Sequence, residues 1–128
     1  IKYISPVSHR EMFNVLIQQH VGLICFKSIP NNINALSGRN NKIYEYLEAG
    51  LAVIGYNFPC WKNFIEGNGI GITADPNDVS QIKEAMEFFI DNPNELKRME
   101  ENAKKLSIKY SWEAESKKLI NLYKELLK

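Results

Sequence analysis

The sequence is poor in the residues that build dedicated chemistry. Among 128 residues it has 2 cysteines and 2 histidines. Cys25 and Cys60 lie far apart, form no C-x-x-C and join no ligand cluster with His9 or His20, so the spacing of a structural metal site is absent. The two thiols read as reduced and buried in a cytosolic protein. His9, in the first turn of a helix, and His20, at a helix end, read as structural or solvent-exposed. There is no G-x-G-x-x-G, no G-K-[ST], no G-x-S-x-G, no H-E-x-x-H and no D-x-D, which removes the standard nucleotide and hydrolase fingerprints. No run of about 18 apolar residues exists to cross a membrane, and the first residues do not resemble a signal peptide. Nor is there an excess of one charge. The 16 basic and 15 acidic residues leave +1 and are spread along the chain, unlike the basic face of a general nucleic-acid binder.

What is present is the mix of a soluble globular protein, 45% apolar and 24% charged, at the size of one ordinary domain. The chain begins with Ile1 rather than Met. The expectation drawn from this is a processed chain or a piece of a longer one.

Strand-like and helix-like patterns alternate. Lys2-Tyr3-Ile4 is a short strand candidate ended by Ser5-Pro6. Ser8 and Glu11 have capping-box spacing, with Val7 and Met12 placed for a hydrophobic staple. Phe13, Leu16 and Ile17 share one face of the helix that follows. The runs Val21 to Phe26 and Ala52 to Tyr56 are unbroken apolar segments of strand length, as in a parallel sheet covered on both faces. Between them lies a loop, 27–40, rich in Asn, Ser, Pro and Gly and long for a compact domain. It leads into a helix over 41–49 that stops at Gly50, a suitable C′ residue. Pro59 opens a short helix with Trp61, Phe64 and Ile65. Gly67, Gly69 and Gly71 bracket a strand at Ile70 to Thr73.

Asp75-Pro76-Asn77-Asp78 reads as a capping turn. The helix behind it, about 79–91, presents Val79, Ile82, Ala85, Met86, Phe89 and Ile90 on its apolar face. Pro93 starts the next helix, in which Leu96, Met99, Ala103 and Leu106 recur at helical spacing. Ser111 caps the last, with Glu113 and Glu115 in its positive first turn and a stripe of Trp112, Leu119, Ile120, Tyr123, Leu126 and Leu127. The predicted fold is α/β: a Rossmann-like parallel sheet with helices on both faces, ending in three helices.

Ligands of such sheets bind outside the carboxyl ends of the strands. Loop 27–40 and the helix start behind it lie there. The first N–H groups of that helix have no partner inside it, and its dipole is positive at that end, so a phosphate fits there without a P-loop. Gly38 lets the backbone approach closely, and Arg39 and Lys42 add positive charge. Glu45 lies about one turn inside, where a carboxylate accepts from paired hydroxyls such as those of a ribose. Glu48 either shares that face or points to solvent. From the pattern alone, Glu45 also reads as an ordinary surface helix residue, and Arg39 and Lys42 as solvated charges.

Two blocks are more specific in combination. N-K-I-Y-E-Y-L-E-A-G-L-A-V-I-G from Asn41, and F-P-C-W-K-N-F-I-E-G-N-G-I-G-I-T-A-D-P from Phe58, resemble the C-terminal, donor-binding domain of GT-B glycosyltransferases. The nearest group is the retaining group 1, or family 4. The Asp-Asn-Pro at 91–93, Met99 and the Tyr-Ser-Trp at 110–112 fit as well, so the resemblance covers nearly the whole chain.

The resemblance implies roles position by position. Glu45 matches the second glutamate of the E-x7-E motif, which binds the donor ribose. Eight residues earlier stands Ser37, where many members carry the first glutamate, so no residue is assigned a catalytic role. Gly38, Arg39, Asn40, Asn41 and Lys42 match the stretch whose amides approach the diphosphate. Ser5 and Val7 match the loop near the nucleotide base. The implied function is transfer of a glycosyl group from a nucleotide-diphosphate sugar to an acceptor, in a bacterial polysaccharide or cell-envelope pathway. No metal and no separate cofactor are expected, and no nucleic acid or transmembrane segment. Residues 1–128 then form a single partial domain, the distal part of the donor-binding half, inactive without an N-terminal acceptor-binding domain. The expected location is the cytoplasm, including the inner face of the membrane for a peripheral form. Two alternatives stay open: a GT-B-fold nucleotide-sugar epimerase, and a degenerate domain that binds a nucleotide or partner without catalysis.

Overall fold

The central strand, β2 (Ala52–Tyr56), is buried along its whole length. In the computed structural model, which describes residues 2–25 and 40–127, it pairs in parallel with β1 (Val21–Leu23) on one side and β3 (Gly71–Ala74) on the other. The register sets Gly22 opposite Val53 and Ile54 opposite Ile72. A strand with neighbours on both edges and helices on both faces has no polar side, which is why A-V-I-G-Y is unbroken. The helices are α1 (His9–Leu16), α2 (Asn41–Ala49), α3 (Pro59–Ile65), α4 (Val79–Asp91), α5 (Pro93–Lys109) and α6 (Trp112–Leu126). The α/β, Rossmann-like class read from the sequence therefore holds, including its ending in three helices.

Two hydrophobic layers flank the sheet. On one face Val53 meets Ile43 and Leu47 of α2, Trp61 and Ile65 of α3, and Ala103 of α5. On the other, Ala52 and Ile54 meet Ala85 and Phe89 of α4 and Met99 of α5. Alternation along β2 sends successive side chains to opposite layers. α5 contributes to both layers, with Met99 in one and Ala103 in the other. The strands pack closely: a Cβ on Gly71 would stand 1.9 Å from the Val53 carbonyl oxygen.

Helix ends follow their local chemistry. In α1 the Ser8 hydroxyl accepts from the Glu11 N–H, and the Glu11 carboxylate accepts from the Ser8 N–H at 2.9 Å, a complete capping box. α2 ends in a Schellman motif. Gly50 is left-handed at φ 75, the Gly50 N–H donates to Leu47 O and the Leu51 N–H donates to Tyr46 O. Asp78 caps α4 by accepting from the Ser80 and Gln81 N–H groups, as its position in the turn predicted.

Several expectations are corrected. Lys2-Tyr3-Ile4 is not a strand, and the described sheet has three strands rather than four. A strand needs a ladder partner, and Tyr3 instead stands 82% exposed. Of the first apolar run, Val21–Leu23 form the strand and the Ile24 N–H still donates to Ile54 O, while Leu23 is exposed and Phe26 lies outside the described residues. On α4, Ala85 and Phe89 are buried, but Val79, Met86 and Ile90 are exposed. Met86 and Ile90 line an open apolar cleft with Val21 and Leu96 beside β1, so the stripe is wider than the surface available to cover it. Cys25 is half-buried. Cys60 is exposed, with the neighbouring Trp61 taking the inward position of α3. α6 buries none of its residues: Trp112 is 72% and Leu126 73% exposed.

Candidate functional site

In a parallel sheet every helix that follows a strand starts at the carboxyl edge. The start of α2 is therefore the place where the sequence located a site. Ile43 and Leu47 fix this helix by entering the core, and α1 packs against it. Together they bring two distant segments into one place. Nε2 of His9, at the first position of α1, lies 3.4 Å from Oε1 of Glu45. Glu45 retains 26% side-chain exposure and His9 83%. Ser5 and Val7 lie on the exposed stretch that leads into α1.

Asn40 is the N-cap of α2, and its Oδ1 accepts from the Lys42 N–H at 3.0 Å. That amide is thus already engaged, which narrows the row of amides expected to face a diphosphate. Asn41 is exposed and Lys42 half-buried. Ser37, Gly38 and Arg39 lie outside the described residues. The next residue along, Tyr46, is held above its ordinary pKa by burial and then by the Glu45 carboxylate beside it. Its hydroxyl donates to Leu23 O at 3.4 Å, tying α2 to the end of β1.

Glu48 does not join Glu45. It lines a separate cleft of about 600 Å³ between α2 and the α5–α6 junction, with Tyr44, Tyr110, Trp112 and Glu113. Tyr110 packs against both Tyr44 and Phe64, at 5.7 and 5.6 Å between centroids. None of the described residues singled out for donor binding lines this cleft. His20 pairs through Nδ1 with Glu100 of α5 at 2.9 Å, a structural tie, as expected. Among the described residues no three His, Cys, Asp or Glu side chains gather to hold a metal ion.

A scan against protein-family models matches the family described as "Glycosyl transferases group 1" over residues 41–106, just over half of the chain. The chain belongs to the group 1 glycosyltransferases. The match begins at the first residue of α2 and runs through β2, α3, β3 and α4 into α5. It contains Asn41, Lys42 and Glu45, and excludes Ser5, Val7 and His9. No curated protein and no solved structure shows a significant match. As a group 1 glycosyltransferase the chain falls in the class that moves a sugar from a donor to an acceptor. No helix among the described residues is long and apolar enough to cross a membrane.

Sequence reasoning missed His9. The capping box explained its neighbours completely, and nothing local signals that α1 folds onto α2. It also missed the aromatic cleft beside Glu48, whose lining comes from α2, the end of α5 and the start of α6. Tyr110 and Trp112, next to the Ser111 cap, were the available signal.

Proposed function

We propose that this glycosyltransferase chain is the donor-binding half of a GT-B enzyme that takes a nucleotide-diphosphate sugar. The observation that supports this most is the meeting of Glu45, in α2, with His9 at the first position of α1. Glu45 accepts from the ribose hydroxyls. The start of α2, with Asn41, Lys42 and the adjoining Gly38, Arg39 and Asn40, takes the diphosphate. Ser5 and Val7 lie toward the base.

The chemistry asked of this half is binding and charge stabilisation. As the sugar departs, negative charge collects on the nucleotide diphosphate. Fixed N–H dipoles and cations aimed at that charge lower the barrier. A metal is not required by this scheme. Ser37, in place of a glutamate, leaves this half without an assigned catalytic side chain. The acceptor, a polysaccharide or cell-envelope glycan in a bacterial cytoplasm, meets the donor from a facing domain, and transfer retains the anomeric configuration.

Equilibrium titration with UDP, GDP and ADP tests the reading. One of the three is expected to bind, and Glu45→Ala is expected to weaken it. Absence of binding by all three at millimolar concentration overturns it. The isolated 128 residues are expected to transfer no sugar, and detectable transfer would refute the division of labour.

A further inference from the structure

We infer that His9 is a positioning residue of the donor site, holding one oxygen of Glu45 so that the other is presented to the ribose. The inference rests on the ribose role of Glu45 proposed above. Oε1 of Glu45 is 3.4 Å from Nε2 of His9, at ion-pair distance when the ring is protonated. A carboxylate has two acceptor oxygens, each with two lone pairs. With Oε1 turned toward His9, Oε2 remains to accept from the vicinal hydroxyls. Glu45 is a flexible side chain on the wall between α1 and α2, and fixing its rotamer before binding removes an ordering cost from the ligand.

The position of His9 favours this task. It sits at N1 of α1, where the Ser8–Glu11 capping box fixes the backbone of the first turn, and α1 packs against α2. Its ring is 83% exposed, so it carries no packing load and its removal leaves the core intact. The pair joins elements far apart in sequence.

The test uses the intact protein with UDP, GDP and ADP, each beside its 2′,3′-dideoxy counterpart. His9→Ala is expected to weaken the ribonucleotide that binds by about two- to fivefold, the size of an exposed charge pair's contribution. It should leave affinity for the dideoxy form unchanged, and His9→Lys should restore most of the loss. In Glu45→Ala the His9 substitution should have no further effect. Equal weakening of ribo and dideoxy forms overturns the inference, because His9 would then act on the base, the diphosphate or the fold. Unchanged or tighter binding by His9→Ala, with Glu45→Ala still weakened, overturns the role of His9 alone. If no nucleotide binds, or Glu45→Ala binds as well as wild type, the donor-site reading itself fails and this inference falls with it.

Discussion

Gly22 lies flat against the ring of Tyr46. A Cβ on Gly22 would stand 2.3 Å from Cδ2 of that ring, well inside van der Waals contact. The absence of a side chain on β1 therefore sets how closely α2 approaches the sheet, and Tyr46 is the neighbour of Glu45 in the chain. The packing of a strand and the placement of the candidate site are one feature.

Gly22→Ala is accordingly expected to destabilise the fold by about 1–3 kcal/mol, as overpacking does, and to weaken nucleotide binding by displacing α2. Gly22→Ala combined with Tyr46→Ala should cost less than the sum of the two, since removing the ring makes room for the methyl group. Chemical denaturation of the four proteins measures the coupling. Additivity would show that the two residues do not meet.

Glu11 makes the stability of α1 depend on pH. The Ser8 hydroxyl and then the Ser8 N–H, both hydrogen-bonded to its carboxylate, hold its pKa below the ordinary carboxylate value. A carboxyl group depressed in the folded state contributes stability that is present above its unfolded pKa. That contribution is lost as the pH falls through the folded value. Glu11→Ala should therefore melt below wild type at neutral pH, with the gap closing as the solution becomes acid. A gap that stays constant with pH would show that the box does not act through the charged carboxylate.

The two thiols should separate in alkylation. Burial pushes the Cys25 thiol above its ordinary pKa, while Cys60 is exposed on α3. Thiolate is the reacting form, so iodoacetamide at mildly alkaline pH should modify the exposed Cys60 before Cys25. The raised pKa also means that the unfolded chain ionises Cys25 before the folded one does. Its contribution to stability thus declines as the pH rises past the unfolded value. Peptide mapping over time gives the order, and equal rates would contradict the burial of Cys25.

Much of the fold was legible because its signals are local. The buried run of β2, the Asn40-to-Gly50 limits of α2 and the caps at Ser8, Asp78 and Ser111 depend on neighbours within a few residues, and each stands where the sequence placed it. The failures are those of cover. Lys2-Tyr3-Ile4 has strand composition but no ladder. Periodicity found the stripe on α4 without showing that Val79, Met86 and Ile90 stay exposed. At the site, the start of α2 was readable from spacing and Glu45 was singled out through the family resemblance, whereas the approach of His9 to it depends on how α1 crosses α2, which no local pattern encodes.

The central claim is that Ser5 to His9 and Asn41 to Glu45 form one nucleotide site. It is tested most directly by following backbone amide resonances while adding UDP, GDP or ADP. The account predicts that the amides of both segments shift together along one saturation curve, that those of α4 and α6 stay still, and that Glu45→Ala weakens the curve. Shifts confined to the cleft lined by Tyr44, Tyr110 and Trp112, or shifts in only one of the two segments, would contradict it.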